Sequence, residues 1–207
     1  DFIAGVVGWV DLTDPKVENT LDELQQSAYF KGVRHIWEGE KDPGWIVNSG
    51  AINGLKELAR RNLTFDFLAK PVNLPFIPVV MDLVPDLEAV VDHIAKPMIA
   101  DAIIEPWLSD MRKVASINGI HCKISGMVTE ADHQNWTVDD IRPYVHHILG
   151  MFGSDRLMVG SDWPVCTLAG EYSRIIDVAK EILSTQLPAV QTDIFGNTAK
   201  RFYSLNI

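Results

Sequence analysis

The feature that most constrains this chain is an alternation. Short apolar, β-branched runs recur between segments whose apolar residues follow a helical period. Strands that read as continuous apolar runs belong to parallel sheets covered by helices, because a parallel connection must cross the face of the sheet. Six such units can be counted. Strands are expected over Ile3–Val10, Gly32–Trp37, Phe65–Ala69, Leu87–Ile94, Gly119–Ser125 and Arg156–Gly160. Helices are expected from Asp14 as cap with Pro15 in first position, over Ser49–Arg61, from Pro75 to Val84, and from Pro106. A longer one runs from Thr137 as N-cap to Gly153 as stop, and two more cover Gly170–Leu183 and Ala189–Leu205. No linker or low-complexity segment interrupts the pattern, so residues 1–207 read as one α/β domain. A faint internal echo sets Asp66-Phe67-Leu68-Ala69-Lys70-Pro71 against Asp92-His93-Ile94-Ala95-Lys96-Pro97. It suggests two strands ending in the same kind of turn, as in a barrel built from a recurring βα unit or in an open doubly wound sheet.

Composition narrows the partners. Eighteen basic against 28 acidic residues give a net charge of −10, which opposes a nucleic-acid backbone or an anionic membrane as partner. The apolar run Phe2–Val10 is nine residues long, against roughly 20 for a spanning helix, and lacks the basic flank of a signal peptide. The two cysteines, Cys122 and Cys166, make no disulfide framework and suit a reducing compartment, so the cytoplasm is the expected location.

Parallel α/β folds place their chemistry at the carboxyl ends of strands. The apolar strand Arg156–Gly160 stops at Ser161-Asp162-Trp163-Pro164, where a carboxylate can orient or deprotonate a water, or merely cap the next turn. His93 shares a strand face with Val91 and could shuttle a proton, bind a metal or pack in the core. Lys123 lies in an apolar strand, which costs desolvation unless an anion pairs with it or it snorkels at an edge. Arg34 and His35 interrupt the second strand, and one of them must face its polar side; an arginine there could hold a carboxylate with its planar fork, or make a structural ion pair. Trp9, Trp37 and Trp163 could wall a ring, although cores claim most tryptophans. The acidic loop Glu38, Glu40 and Asp42 reads as solvated surface unless the fold turns it inward, and Lys70 and Lys96 read as exposed. His133, His146 and His147 have no ligand-like spacing. Phosphate-binding loops, a dinucleotide fingerprint, His-Glu-x-x-His and Gly-x-Ser-x-Gly are all missing from the sequence.

Five ordered segments carry a resemblance. Gly5-Val-Val-Gly-Trp-Val-Asp-Leu12, Gly32-Val-Arg-His35 with Glu40, Asp92-His93 before Lys96-Pro97, Cys122-Lys-Ile-Ser-Gly126 and Gly160-Ser-Asp-Trp-Pro164 resemble the amidohydrolase-related family, in particular its sugar-lactone and aromatic-lactone hydrolases. The closing Ile194–Tyr203 is similar to that family's last helix. The resemblance implies a (β/α)8 TIM barrel in which Asp162 activates the hydrolytic water and His93 is the mid-barrel histidine. Arg34, Lys123 and Trp163 would then receive a small-molecule lactone, with neither nucleic acid nor membrane as partner. One divalent metal such as zinc, held by His93 and Asp162 together with a His-x-His pair, is implied beside a metal-free route. The family's first strand carries that pair and a second strand follows it, and this sequence has neither. The chain is therefore expected to be an N-terminally incomplete barrel of about six βα units, with a lactone hydrolase as the complete protein. An inactive barrel that binds a ligand or a partner, and a decarboxylase, are the alternatives.

Overall fold

The computed structural model describes residues 2–207. Six strands alternate with helices: β1 (Val6–Gly8), α1 (Val17–Leu24), β2 (Phe30–His35), α2 (Ser49–Arg60), β3 (Thr64–Phe67), α3 (Ile77–Leu83), β4 (Ala89–Val91), α4 (Trp107–Ala115), β5 (His121–Ile124), α5 (Val138–Phe152), β6 (Leu157–Val159) and α6 (Tyr172–Leu183). The sheet order is β1-β2-β3-β4-β5-β6 and every pairing is parallel. The arrangement is six consecutive βα units of the (β/α)8 barrel type, as the sequence pattern and the resemblance imply.

Strand parity sorts the side chains. Val33, Phe65, Phe67, Val91, Cys122, Ile124 and Leu157 face the helices and are fully buried in the main core. They meet apolar stripes such as Ile52, Leu55 and Leu58 of α2 and Ile141, Val145 and Ile148 of α5. Arg34, Asp66, Val90, His121, Lys123 and Met158 take the opposite face. Two contacts on that face skip a strand, Arg34 of β2 to Asp92 beyond β4 and Asp66 of β3 to Lys123 of β5, as a sheet curling toward it requires.

The helix starts follow their capping chemistry. Asn48 Oδ1 accepts the Ala51 amide at 2.9 Å at the head of α2, and Thr137 with Asp140 forms a capping box at the head of α5. Near α1, Asp14 caps the preceding turn through the Lys16 amide, and the helix itself begins at Val17. The expected closing helix is broken into α7 (Pro188–Thr192), a π turn over Asp193–Asn197, and α8 (Thr198–Phe202). The end of this segment packs on the inner face, where Phe202 meets Val90 and Met158 and lies 4.6 Å from the His121 ring.

The fourth strand departs from expectation. It leaves the ladder after Val91, and His93, Ile94, Ala95 and Lys96 all take left-handed backbone conformations, with φ of 54°, 48°, 57° and 49°. His93 is therefore presented by a turn, not by a strand face shared with Val91. The echo also resolves into two different turns, since Lys70 is extended and leads into a right-handed 3-10 helix over Pro71–Phe76. Among the described residues no helix is long and apolar enough to cross a membrane.

Candidate active site

The carboxyl ends of β4, β5 and β6 converge on His93. Its Nδ1 lies 2.8 Å from Ser125 Oγ, just past β5, and its Nε2 lies 3.5 Å from Asp162 Oδ1, past β6. Both side chains are largely buried, His93 at 7% and Asp162 at 12% exposure. A neutral imidazole that accepts the Ser125 hydroxyl at Nδ1 has its Nε2–H toward the Asp162 carboxylate, the tautomer these two neighbours favour. Burial pushes the His93 pKa down, against the opposing pull of Asp92 and Asp162, so the ring is held neutral more firmly than a free histidine.

Holding the ring there demands unusual backbone. Four successive left-handed residues cost roughly 1–2 kcal/mol each, so several kcal/mol of local strain must be offset by their surroundings. The Ile94 carbonyl accepts the Trp107 indole N–H at 2.7 Å, and the Lys96 amide donates to the His93 carbonyl at 2.8 Å. Gly126 supplies the space: its φ is +64°, and a Cβ there would stand 2.8 Å from both Cβ and Cγ of His93. This explains the Ser125-Gly126 pair as the backing of His93. Asp162 is itself left-handed, with φ of 59°.

Beneath the histidine runs a buried ionic cluster. Lys123 Nζ is 2.5 Å from Asp66 Oδ2 and 2.7 Å from Asp92 Oδ1, the second contact being close but off the hydrogen-bonding angle. Arg34 Nη1 reaches Asp92 Oδ2 at 3.2 Å, and the Tyr203 hydroxyl lies 2.9 and 3.1 Å from the Asp66 oxygens. Burial drives the Asp66 pKa up to about 6, with Lys123 opposing the shift and Asp92 adding to it. Burial alone would raise Asp92, but Lys123, His93 and Arg34 outweigh it and hold that carboxyl below the ordinary range. Burial works against the Lys123 charge, while Asp92 and Asp66 more than restore it.

The residues singled out in the sequence have different places in the fold. His93 and Asp162 come together. Arg34 takes the polar side of β2, and its side chain remains 45% exposed with Nη1 on Asp92. His35 turns to the helix side, stacked 4.1 Å from Trp45 with Nε2 2.9 Å from Glu40. Lys123 is engaged by two carboxylates at the floor, which supplies the anionic partner its burial requires. Trp163 and Trp9 are exposed, whereas Trp37 is fully buried with its indole N–H on the Pro43 carbonyl and walls no site. Sequence reasoning missed Ser125, Gly126, Asp66 and Tyr203, together with Glu130, whose carboxyl burial pushes up, Lys96 opposing and Glu38 adding to the shift.

A catalytic zinc takes three protein ligands as a rule. Here His93 Nε2 and Asp162 Oδ1 are two suitable donors, and among the described residues no group of three or more His, Cys, Asp or Glu is gathered for a metal. The donor set present does not make a zinc site by itself.

A family model described as amidohydrolase matches residues 2–205. The chain is 33% identical over 209 residues to an L-fucono-1,5-lactonase of Burkholderia ambifaria, a match that covers 99% of this chain and 72% of that protein. A crystal structure of an amidohydrolase from Burkholderia multivorans with bound zinc superposes with a TM-score of 0.93 at 30% identity, over 98% of this chain and 74% of that one. A probable 2-pyrone-4,6-dicarboxylic acid hydrolase from Acinetobacter baumannii, with citric acid bound, shares the fold at a TM-score of 0.79 and 16% identity, over 97% and 73% of the two chains.

Proposed function

The chain belongs to the amidohydrolase family, and from that premise we propose that it is the greater part of a hydrolase that opens a lactone of a sugar acid or aromatic acid by Asp162-activated water. The observation that carries the reading is the convergence of Ser125, His93 and Asp162 from three adjacent strand ends. Asp162 takes a proton from water, and the hydroxide formed adds to the lactone carbonyl. Collapse of the tetrahedral adduct breaks the ring C–O bond, and the proton returns to the departing alkoxide, giving the hydroxy acid. His93, fixed by Ser125, orients the Asp162 carboxylate. Arg34 offers its free guanidinium donors to the carboxylate or hydroxyls of the substrate and to the oxyanion, and Trp163 offers an apolar wall. Lys123, with Asp66 and Asp92, keeps the floor of the site rigid and electrically matched.

The zinc in the Burkholderia multivorans structure supports a metal-dependent form of the complete protein. His93 and Asp162 would be two of its ligands. A panel of aldonolactones, muconolactone-type compounds and simple amides, followed by acid release on the full-length protein, tests the reaction class. Asp162→Asn is expected to lose about 10²–10⁴-fold in rate. Wild-type rates in that variant, or turnover of amides alone, would overturn the assignment.

A further inference from the structure

The loop after β2 and the lysine after β4 both read from sequence as solvated surface, and the fold turns them toward each other. Lys96 Nζ stands 2.7 Å from Glu38 Oε1 and 2.6 Å from Oε2, with the two side chains only 17% and 18% exposed. We propose that Glu38 and Lys96 are positioning residues, a brace that holds the left-handed turn His93–Lys96 in shape and thereby aims His93 at Asp162. The catalytic half of this inference rests on the hydrolase reading above, and its structural half stands without it.

Backbone in a sparsely populated region persists only where its surroundings over-determine it. None of His93, Ile94, Ala95 or Lys96 is a glycine, and Ile94, β-branched, is especially averse to positive φ. The start and middle of the turn are fastened by the Lys96 amide on the His93 carbonyl, by the Trp107 indole on the Ile94 carbonyl, and by the burial of Ile94 and Ala95. Immediately past Lys96 the main chain offers no donor, because the next residue is Pro97, which has no N–H. Lys96 ties that end through its side chain.

The anchor at the other side is itself fixed. Glu38 lies in a single 3-10 turn over Trp37–Gly39, and its amide donates to the Leu68 carbonyl beyond β3 at 3.1 Å. Trp37 beside it is fully buried and donates to the Pro43 carbonyl at 3.0 Å. The brace therefore runs from the loop after β2, past the end of β3, to the turn after β4. Both Glu38 oxygens lie against the ammonium, Oε1 accepting its hydrogen bond and Oε2 close but off the hydrogen-bonding angle, so charge and one hydrogen bond together hold the pair.

The test is a double-mutant cycle in the full-length protein: Glu38→Gln, Lys96→Met and the pair combined, with kcat and KM on the best lactone and peptide-resolved hydrogen exchange across residues 92–97. The combined variant removes both charges of the pair, which keeps the cycle readable if one single variant folds poorly. Each single change is expected to lower kcat about 10- to 100-fold with KM within about threefold, because a small misplacement of the reacting groups costs rate before it costs binding. The combined variant should be no worse than the poorer single one, and exchange over 92–97 should quicken in all three. Additive losses, a raised KM with kcat unchanged, or exchange equal to wild type would overturn the brace. Should the wild-type protein open no lactone at all, the hydrolase reading fails, and the exchange measurement alone then decides: quickened exchange upholds the brace and unchanged exchange refutes it.

Discussion

Replacing Gly126 with alanine isolates how tightly the position of His93 governs this site. A Cβ at residue 126 would lie 2.8 Å from Cβ and Cγ of His93 and 3.0 Å from its Nδ1. Ordinary contact begins near 3.4 Å, so the ring must withdraw by about 0.6 Å, enough to stretch the 2.8 Å contact with Ser125 to the weak outer edge of hydrogen-bonding distance. The φ of +64° adds roughly 1–3 kcal/mol of strain for any residue with a Cβ. Gly119, in the turn that leads into β5, is the control: its φ is +87° and a Cβ there meets nothing within 4 Å. Both alanine variants should lose about 1–3 kcal/mol in urea unfolding, while Gly126→Ala alone should lose about 10²-fold in kcat on the lactone the wild type opens fastest. If the two variants lose equal activity, or Gly126→Ala keeps the wild-type rate, the argument that His93 is held at the limit of its space is wrong.

Two further outcomes follow from the ionic floor. Lys123→Met leaves Asp66 and Asp92 buried without their shared cation and should cost about 3–5 kcal/mol of stability, with a loss below about 1 kcal/mol in urea unfolding counting against the cluster. The Asp66 pKa is raised from 3.8 to about 6 on folding, so its protonated form is favoured in the native state. Its contribution is fully present below pH 3.8 and is lost as pH climbs through about 6. His93, whose pKa is lowered from 6.5, works with the opposite sign as pH falls below that value. The difference between Asp66→Asn and wild type removes the histidine and isolates the carboxyl: relative to wild type, the variant should gain on the order of 3 kcal/mol between about pH 4 and pH 7 in urea titrations, and a flat difference refutes the assignment.

How much of this was legible in the sequence depends on what each feature needed. Strand and helix order followed from apolar periodicity, which is local, and the strand ends then exposed Asp162 and His93 as candidates. The left-handed turn was not legible, because the residues that form it have no propensity for it and are held by Trp107, Glu38 and Gly126, which are remote in the chain. Lys123 carried half of its own answer, since a lysine in an apolar strand calls for an anion. The other half lay in the internal echo: its two leading aspartates, Asp66 and Asp92, are the two that pair with Lys123. Register explains why. Asp66 pairs with Val90 across β3 and β4, so Asp92 lies two residues further on with the same parity. Glu38 and Lys96 went unrecognised as partners because charge alone does not tell a solvated loop from one folded inward.

Tyr203 gives the site a place in the order of synthesis. Its hydroxyl rests on Asp66, a carboxylate with 1% exposure, and the adjacent Phe202 closes the inner face against Val90 and Met158. Arg34, Asp66, Asp92, His93, Lys123 and Ser125 have all left the ribosome by the time Asp162 has, but the floor waits for about forty residues more. A nascent chain arrested between α6 and α8 would carry its histidine, its aspartates and its lysine with the inner face still open to water. The stretch that carries Phe202 and Tyr203, translated well after the strand-end residues, thus completes the seal beneath them, and a chain cut before Phe202 would lose that seal while keeping all six strands.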